Sequence, residues 1–286
     1  MTAVRVAVAS CLRLPEPDPD EPLLLAALER AGVDARVLAW DDAGAPFADQ
    51  ALVVVRSTWN YHDRLDAFLA WTRAVGATTR LANAPGVIAW NATKTYLRDL
   101  DARGVAAVPT EFVARGERRD LGAVLDARGW REIVVKPVVS AGSYRTARFG
   151  RDRLADAQAF LEDLTRDRGA MIQRWMPDVE AYGERSLVWI DGEVTHAVRK
   201  SPRFADGHER VSEEVAFTPE ERAFAERALE AAGAPDLLYA RVDMVRDPEG
   251  ALRIMELELI EPSLFLAQAP RAAERLAAAI ARRLRA

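Results

Sequence analysis

The chain has 286 residues, half of them hydrophobic and 29% charged, which excludes a mini-protein and a disordered chain and suits about two domains. Thirty-nine Lys and Arg against 44 Asp and Glu leave a net charge of −5 with the signs interleaved, so nonspecific nucleic-acid binding has no support. The single cysteine, Cys11, excludes an intrachain disulfide and a CxxC pair. No run approaches the roughly 18 apolar residues of a membrane span.

The N-terminal stretch reads as a strand over Val4 to Ala9, not a signal peptide, so the expected compartment is cytoplasmic. A helix over Pro22 to Ala31 ends at Gly32 and leads to a strand from Val33 to Trp40. Another strand, Ala51 to Arg56, precedes a helical pattern from Asp63 to Val75. Strands alternating with helices predict a small doubly wound parallel-sheet domain over residues 1–85. Ligands bind at strand ends of such sheets, which singles out Arg56, Ser57 and Trp59.

Asn83-Ala84-Pro85-Gly86 reads as a turn-rich boundary, followed by a helix from about Ala92 to Arg103. A strand from Glu111 to Ala114, a helix from about Asp120 to Arg128 and a strand from Glu132 to Lys136 come next, before the loop VVSAGSYRTARF. A helix around Leu154 to Thr165 and a strand from Met171 to Met176 close a predicted unit at residues 86–176. Over residues 177–286 the pattern predicts two strands around Asp191-Gly192, a helix near Glu220 to Ala232, a hairpin from Leu237 to Ile260 and a terminal helix from about Arg271.

The second hairpin turns at Asp247-Pro248-Glu249-Gly250, which predicts Arg241 opposite Glu256 and Asp243 opposite Ile254. Period 2 then places Arg241, Asp243, Glu256 and Glu258 on one face and Ala240, Val242, Met244, Met255, Leu257 and Leu259 on the other. The charged set fits either a solvated sheet face or an all-oxygen site for Mg²⁺ or Mn²⁺. Lys136 ends a strand before a loop of small residues that could cradle phosphate, and it equally fits a plain surface lysine. Lys94, near a helix start, alone reads as solvated. No Walker motif, no GxG spacing and no G-x-S-x-G elbow occurs.

Taken in order, Lys94…Gly104-Val105…Val108-Pro109, Val134-Val135-Lys136-Pro137, Ile172-Gln173-Arg174-Trp175-Met176, Arg241-Val242-Asp243 and Met255-Glu256-Leu257-Glu258 resemble the ATP-grasp superfamily. RSTWNYH and MELELIEPSLF are similar to the O-ureido-serine cyclo-ligases of D-cycloserine biosynthesis. The resemblance implies an α/β chain with an ATP-grasp fold after a small doubly wound domain, its central part at 86–176 and its metal-binding part at 177–286. It implies that Lys94 and Lys136 hold ATP phosphates under a loop of Ser140, Ala141, Gly142 and Ser143. It implies an adenine hinge of Gln173, Arg174, Trp175 and Met176, read through the backbone at Arg174 and Met176, with Glu180 on the ribose. Asp243, Glu256 and Glu258 would bind Mg²⁺, and Arg241 would stabilise the transition state. Glu258 stands where relatives carry asparagine, and Arg174 where they carry glutamate.

The implied activity is ATP-dependent carboxylate–amine ligation of a small amino-acid-like molecule through an acyl phosphate. A small-molecule kinase on the same nucleotide site, or a catalytically silent nucleotide-binding protein, uses the same motifs. The expected partner is a small-molecule substrate, with no nucleic acid and no membrane, and a homodimer is compatible with the sequence. Arg56, Ser57, Trp59, Lys200, Arg203 and Ser263 are the expected substrate wall.

Overall fold

The structure is a computed structural model that describes residues 5–142, 144–201, 210–234 and 236–285. Strand β1 (Arg5–Ser10) is flanked by β2 (Asp34–Ala39) and β3 (Leu52–Val55), with β4 (Arg80–Ala82) beyond β3. All pairings in this sheet are parallel. The connections run through α1 (Glu21–Arg30) and α2 (Leu65–Thr78). A valine-rich β3 buried along its whole length is what a parallel strand covered on both faces requires. Three residues, the length of β4, are too short to carry a readable alternation.

The stretch expected as a turn and one long helix is instead two short helices, α3 (Pro85–Asn91) and α4 (Tyr96–Ala102). Pro85 sits in the first turn of α3, where a missing N–H costs no helical hydrogen bond. A second sheet follows, built from β5 (Thr110–Val113), β6 (Glu132–Pro137), β7 (Ala147–Gly150) and β8 (Ala170–Arg174). Its order is β5-β8-β6-β7, with antiparallel pairing throughout. One face carries α5 (Leu121–Arg128) and α6 (Leu154–Thr165), whose leucines pack with Ile133, Val135 and Ile172. The sequence read β7 as loop; it is a short edge strand that includes Arg148 and Gly150.

After the single-turn α7 (Asp178–Ala181), a third sheet runs in the order β11-β10-β9-β12-β13. Its strands are β9 (Glu184–Ile190), β10 (Glu193–Ser201), β11 (Arg210–Val211), β12 (Tyr239–Arg246) and β13 (Leu252–Glu258). Asp191 and Gly192 both have positive φ, at 47° and 96°, as a tight β9–β10 turn demands. Helix α8 (Pro219–Ala232) begins with a capping box between Thr218 and Glu221. It shares a core with α4 and the inner faces of β12 and β13. The terminal α9 (Pro270–Arg285) buries Ala273, Leu276, Ala277 and Ile280 at helical spacing. These side chains join Val6, Val8 and Val54 of the first sheet and Val188 and Ile190 of the third in one cluster.

The β12–β13 register differs from the sequence expectation: Arg241 faces Glu258, and Asp243 faces Glu256. A bulge causes part of the shift, because Met244 pairs with Ile254 and leaves Met255 as the extra residue. Met255 consequently leaves the core face to which alternation assigned it and packs beside Trp175, Met176 and Val179. Among the described residues no helix is long and apolar enough to cross a membrane.

Candidate active site

A cleft of about 480 Å³ lies between the second and third sheets, within the range of small-molecule sites. Its apolar part is lined by Val134, Trp175, Met176, Val179 and Met255. Gln173 and Arg174 also line it, but the Arg174 amide donates to Pro109 O at 2.9 Å and so is no donor into the cleft. The Arg148 guanidinium lies 4.0 Å from the centre of the Trp175 ring and bonds Glu180 at 2.6 Å. Glu180, expected on the ribose, is paired with this Arg148 and is not among the residues that line the cleft.

The charged part gathers residues from six segments: the stretch before α4, and β6, β9, β10, β12 and β13. Lys136, at the end of β6, places Nζ 3.1 Å from Glu256 Oε1, and Lys94, just before α4, lies 3.3 Å from the same oxygen. Lys94 also donates to Ser140 O at 3.3 Å. Ser140, Ala141 and Gly142 line the cleft; Ser143 falls outside the described residues. Arg241 grips Asp243 from Nε and Nη2, at 2.9 and 2.8 Å, and pairs with Glu258. Lys200 bridges Asp243 at 2.9 Å and Glu184 at 2.8 Å.

These contacts decide the protonation states. Burial alone would raise the Asp243 carboxyl, but Arg241 and Lys200 outweigh it and hold Asp243 far below the usual carboxylate range. Burial of Glu256 is likewise overcome by Lys94 and Lys136. Glu258 goes the other way, because burial and the charges of Asp243 and Glu256 exceed the pull of Arg241. Burial pushes Glu184 up to about 7, against Lys200. One oxygen from each of Asp243, Glu256 and Glu258 lies within 4.8 Å of the others, an arrangement that could hold a divalent ion. The donors are hard oxygens close enough together to share one ion, so the residues fit Mg²⁺ or Mn²⁺.

The expected substrate wall is only partly assembled. Trp59, Lys200 and Ser263 line the cleft, and Arg203 lies outside the described residues. Ser57 is fully buried and bonds Ser10 Oγ at 3.1 Å, away from the cleft. Arg56 is buried as well, donating to Pro262 O at 2.6 Å, 3.6 Å from Asp20 and 5.1 Å from the Tyr239 ring centre. Its charge serves packing between the first sheet and the loop after β13.

That loop is held without a strand ladder. The carbonyls of Leu259, Ile260, Glu261, Pro262, Ser263 and Leu264 accept in turn from Asn83, Tyr239, Trp59, Arg56, Arg241 and His196. Asp20 receives the amides of Leu264 and Leu266 at 2.6 and 2.8 Å. Glu261, Glu184, Met255 and Tyr61 also line the cleft and were not singled out by the sequence pattern. Counting back from the Asp191-Gly192 turn would set Glu184 opposite Arg199; a register shift between Val194 and His196 brings it opposite Lys200 instead, which the sequence does not announce. Glu261 lies beyond β13, where alternation gives no facing.

A family model described as the D-cycloserine synthetase DcsG N-terminal domain matches residues 6–83. The cycloserine biosynthesis protein DcsG of Streptomyces lavendulae is 34% identical over 284 residues, covering 94% of this chain and 95% of that protein. A crystal structure of D-cycloserine synthetase DcsG superposes with a TM-score of 0.90 at 33% identity, covering 98% of this chain and 99% of the other. The fold is also shared with the ATP-grasp ligase PsnB, solved with minimal precursor, Mg and ADP, at TM-score 0.65 and 19% identity over 97% of this chain and 98% of that one. D-alanyl-alanine synthetase A from Vibrio cholerae has the same fold at TM-score 0.67 and 14% identity, with both chains fully covered.

Proposed function

The chain belongs to the DcsG family of ATP-grasp ligases, and from that premise we propose that it activates the carboxylate of a small amino-acid-like substrate as an acyl phosphate and closes a C–N bond with a second nitrogen of the same molecule, distinct from its α-amine. The observation that carries this reading is the meeting of Lys94, Lys136 and Arg241 with Asp243, Glu256 and Glu258 in one cleft. Without ligands these opposite charges satisfy one another. With nucleotide bound, the two lysines are free to turn from Glu256 to phosphate, and the carboxylates to a divalent ion. That ion would neutralise phosphate charge; an ATP-grasp ligase solved with Mg and ADP supports its use in this fold.

In the first step a substrate carboxylate oxygen attacks the γ-phosphorus in line and ADP departs, taking the bridging oxygen. The carboxylate oxygen now bonds phosphorus, so the carbonyl carbon carries phosphate as leaving group in place of oxide. Next the second nitrogen, through its own lone pair, adds to that carbon, phosphate leaves with the former carboxylate oxygen, and the nitrogen loses a proton. Arg241, with two nitrogens on Asp243 and a third contact to Ser263 O, is held rigidly enough to meet the oxyanion of the tetrahedral intermediate. Trp175, Met176 and Met255 supply flat, polarisable surface for a base.

O-ureido-D-serine, labelled with ¹⁸O in its carboxyl group, tests the reading. With ATP and Mg²⁺, one labelled oxygen per turnover should appear in the released phosphate. ATP-dependent turnover that leaves all label in the organic product would exclude the acyl phosphate.

A further inference from the structure

Of the carboxylates at the cleft and the buried Asp243 beside them, Glu184 and Asp243 share Lys200, Asp243 and Glu258 share Arg241, Glu256 takes Lys94 and Lys136, and Glu16 has an interaction of its own. Glu261 lines the cleft too, and among the described residues its carboxylate has neither a hydrogen-bond donor nor an ion-pair partner. It is not part of the three-oxygen set suited to a divalent ion. The rings of Trp59 and Tyr61 line the same cleft.

The backbone at Glu261 is fixed from both sides, by Trp59 on its own carbonyl, Tyr239 on Ile260 O and Arg56 on Pro262 O. A half-buried carboxylate with no cation in direct contact costs desolvation, which the charges of Lys94, Arg241 and Arg56 at longer range offset only in part. Burial, with Glu258 adding to it, accordingly pushes its carboxyl well above the ordinary range. A ligand cation would remove that cost, and the cation an amino-acid-like substrate brings is its ammonium group. We infer that Glu261 binds the protonated amine of the substrate and thereby selects α-amino acids over simple carboxylic acids. This rests on the ligase reading and assigns a residue to its specificity. It also gives the RSTWN segment a purpose: Arg56 and Trp59 position the loop that carries Glu261.

The experiment compares O-ureido-D-serine with its desamino analogue, 3-(ureidooxy)propanoate, by ATP-dependent phosphate release from wild type and Glu261→Gln. The wild type should prefer the amino acid by about 10- to 100-fold in kcat/KM, the usual worth of a hydrogen bond to a charged group. Glu261→Gln should lose most of that preference, chiefly through KM for the amino acid, while KM for ATP stays unchanged. Retention of the full preference, or an equal fall in kcat on both compounds, overturns the assignment while leaving the ligase reading intact. If the wild type turns over neither compound, the ligase substrate is wrong, and calorimetry with D-cycloserine and Mg-ADP decides Glu261 separately. Binding at least tenfold weaker in Glu261→Gln supports the assignment; equal binding, or none by the wild type, overturns it.

Discussion

Arg56 and Arg241 stand on opposite sides of the loop after β13 and look alike in almost every local respect. Both are nearly buried, both donate to a carbonyl of that loop, Pro262 for one and Ser263 for the other, and both lie over an aromatic ring, Tyr239 at 5.1 Å and Phe265 at 5.4 Å. They differ in what surrounds the charge. Arg56 meets a single carboxylate, Asp20, whose oxygens already receive two backbone amides, and it has no face on the cleft. Arg241 meets two carboxylates, Asp243, which it shares with Lys200, and Glu258, both suited to a divalent ion, and it lines the cleft. Buried charge alone therefore does not mark chemistry; a charge network open to a ligand does.

Substitutions at the two arginines should separate along this line. Arg56→Met leaves the buried Asp20 uncompensated, so unfolding in denaturant should show a loss of about 3–5 kcal/mol. Calorimetry should give the folded variant an ATP affinity within about twofold of wild type, because Arg56 is assigned no contact with nucleotide; a loss comparable to that of a cleft variant would break the contrast. Arg241→Lys keeps the charge but loses the planar fork, and kcat should fall by roughly 10²-fold or more with ATP affinity nearly unchanged. Near-normal turnover would return Arg241 to a purely structural role like that of Arg56. Lys136→Ala sharpens the nucleotide side of the cleft: affinity for ATP and ADP should fall by about tenfold or more, with adenosine little affected, as direct titration would show. A uniform loss over all three ligands would signal a collapsed loop instead.

How much of this was legible in the sequence follows from the range of each interaction. Period 2 along one hairpin was enough to bring Arg241, Asp243, Glu256 and Glu258 to one face, since neighbouring strands set their own facing. The bulge at Met255 was not legible, because an extra residue leaves the alternation of residue types unchanged, and it moved Met255 from the core to the cleft. Lys136 and Glu256 are 120 residues apart, so only resemblance to a family joined them. Arg56 shows the opposite failure. Its strand-end position suggested a ligand, but its partner Pro262 lies 206 residues away and nothing local announces that contact. The pairing of Glu180 with Arg148, 32 residues away in the chain, was equally beyond local pattern.

The smallest expected effect concerns pH and the Asp20 side of the comparison. Burial raises the Asp20 carboxyl above its ordinary value, and Arg56 and the amides of Leu266 and Leu264 only partly offset that. An acid whose folded-state pKa exceeds its unfolded one takes up its proton more readily when folded. Its favourable contribution is complete below the unfolded value and is lost as pH rises through the folded one. Wild type should therefore gain stability relative to Asp20→Asn as pH falls from neutrality toward about 4, near the ordinary aspartate value. Other carboxylates titrate over the same span in both proteins, and the difference between the two denaturant midpoints cancels them. Asp243 would show the reverse sign, since Arg241 and Lys200 hold its folded value low against burial. A midpoint difference independent of pH would mean that Arg56 and the two amides just cancel the burial of Asp20, and one that moved the other way would mean that they exceed it as Arg241 and Lys200 do at Asp243; either result would remove the electrostatic distinction between the two arginines.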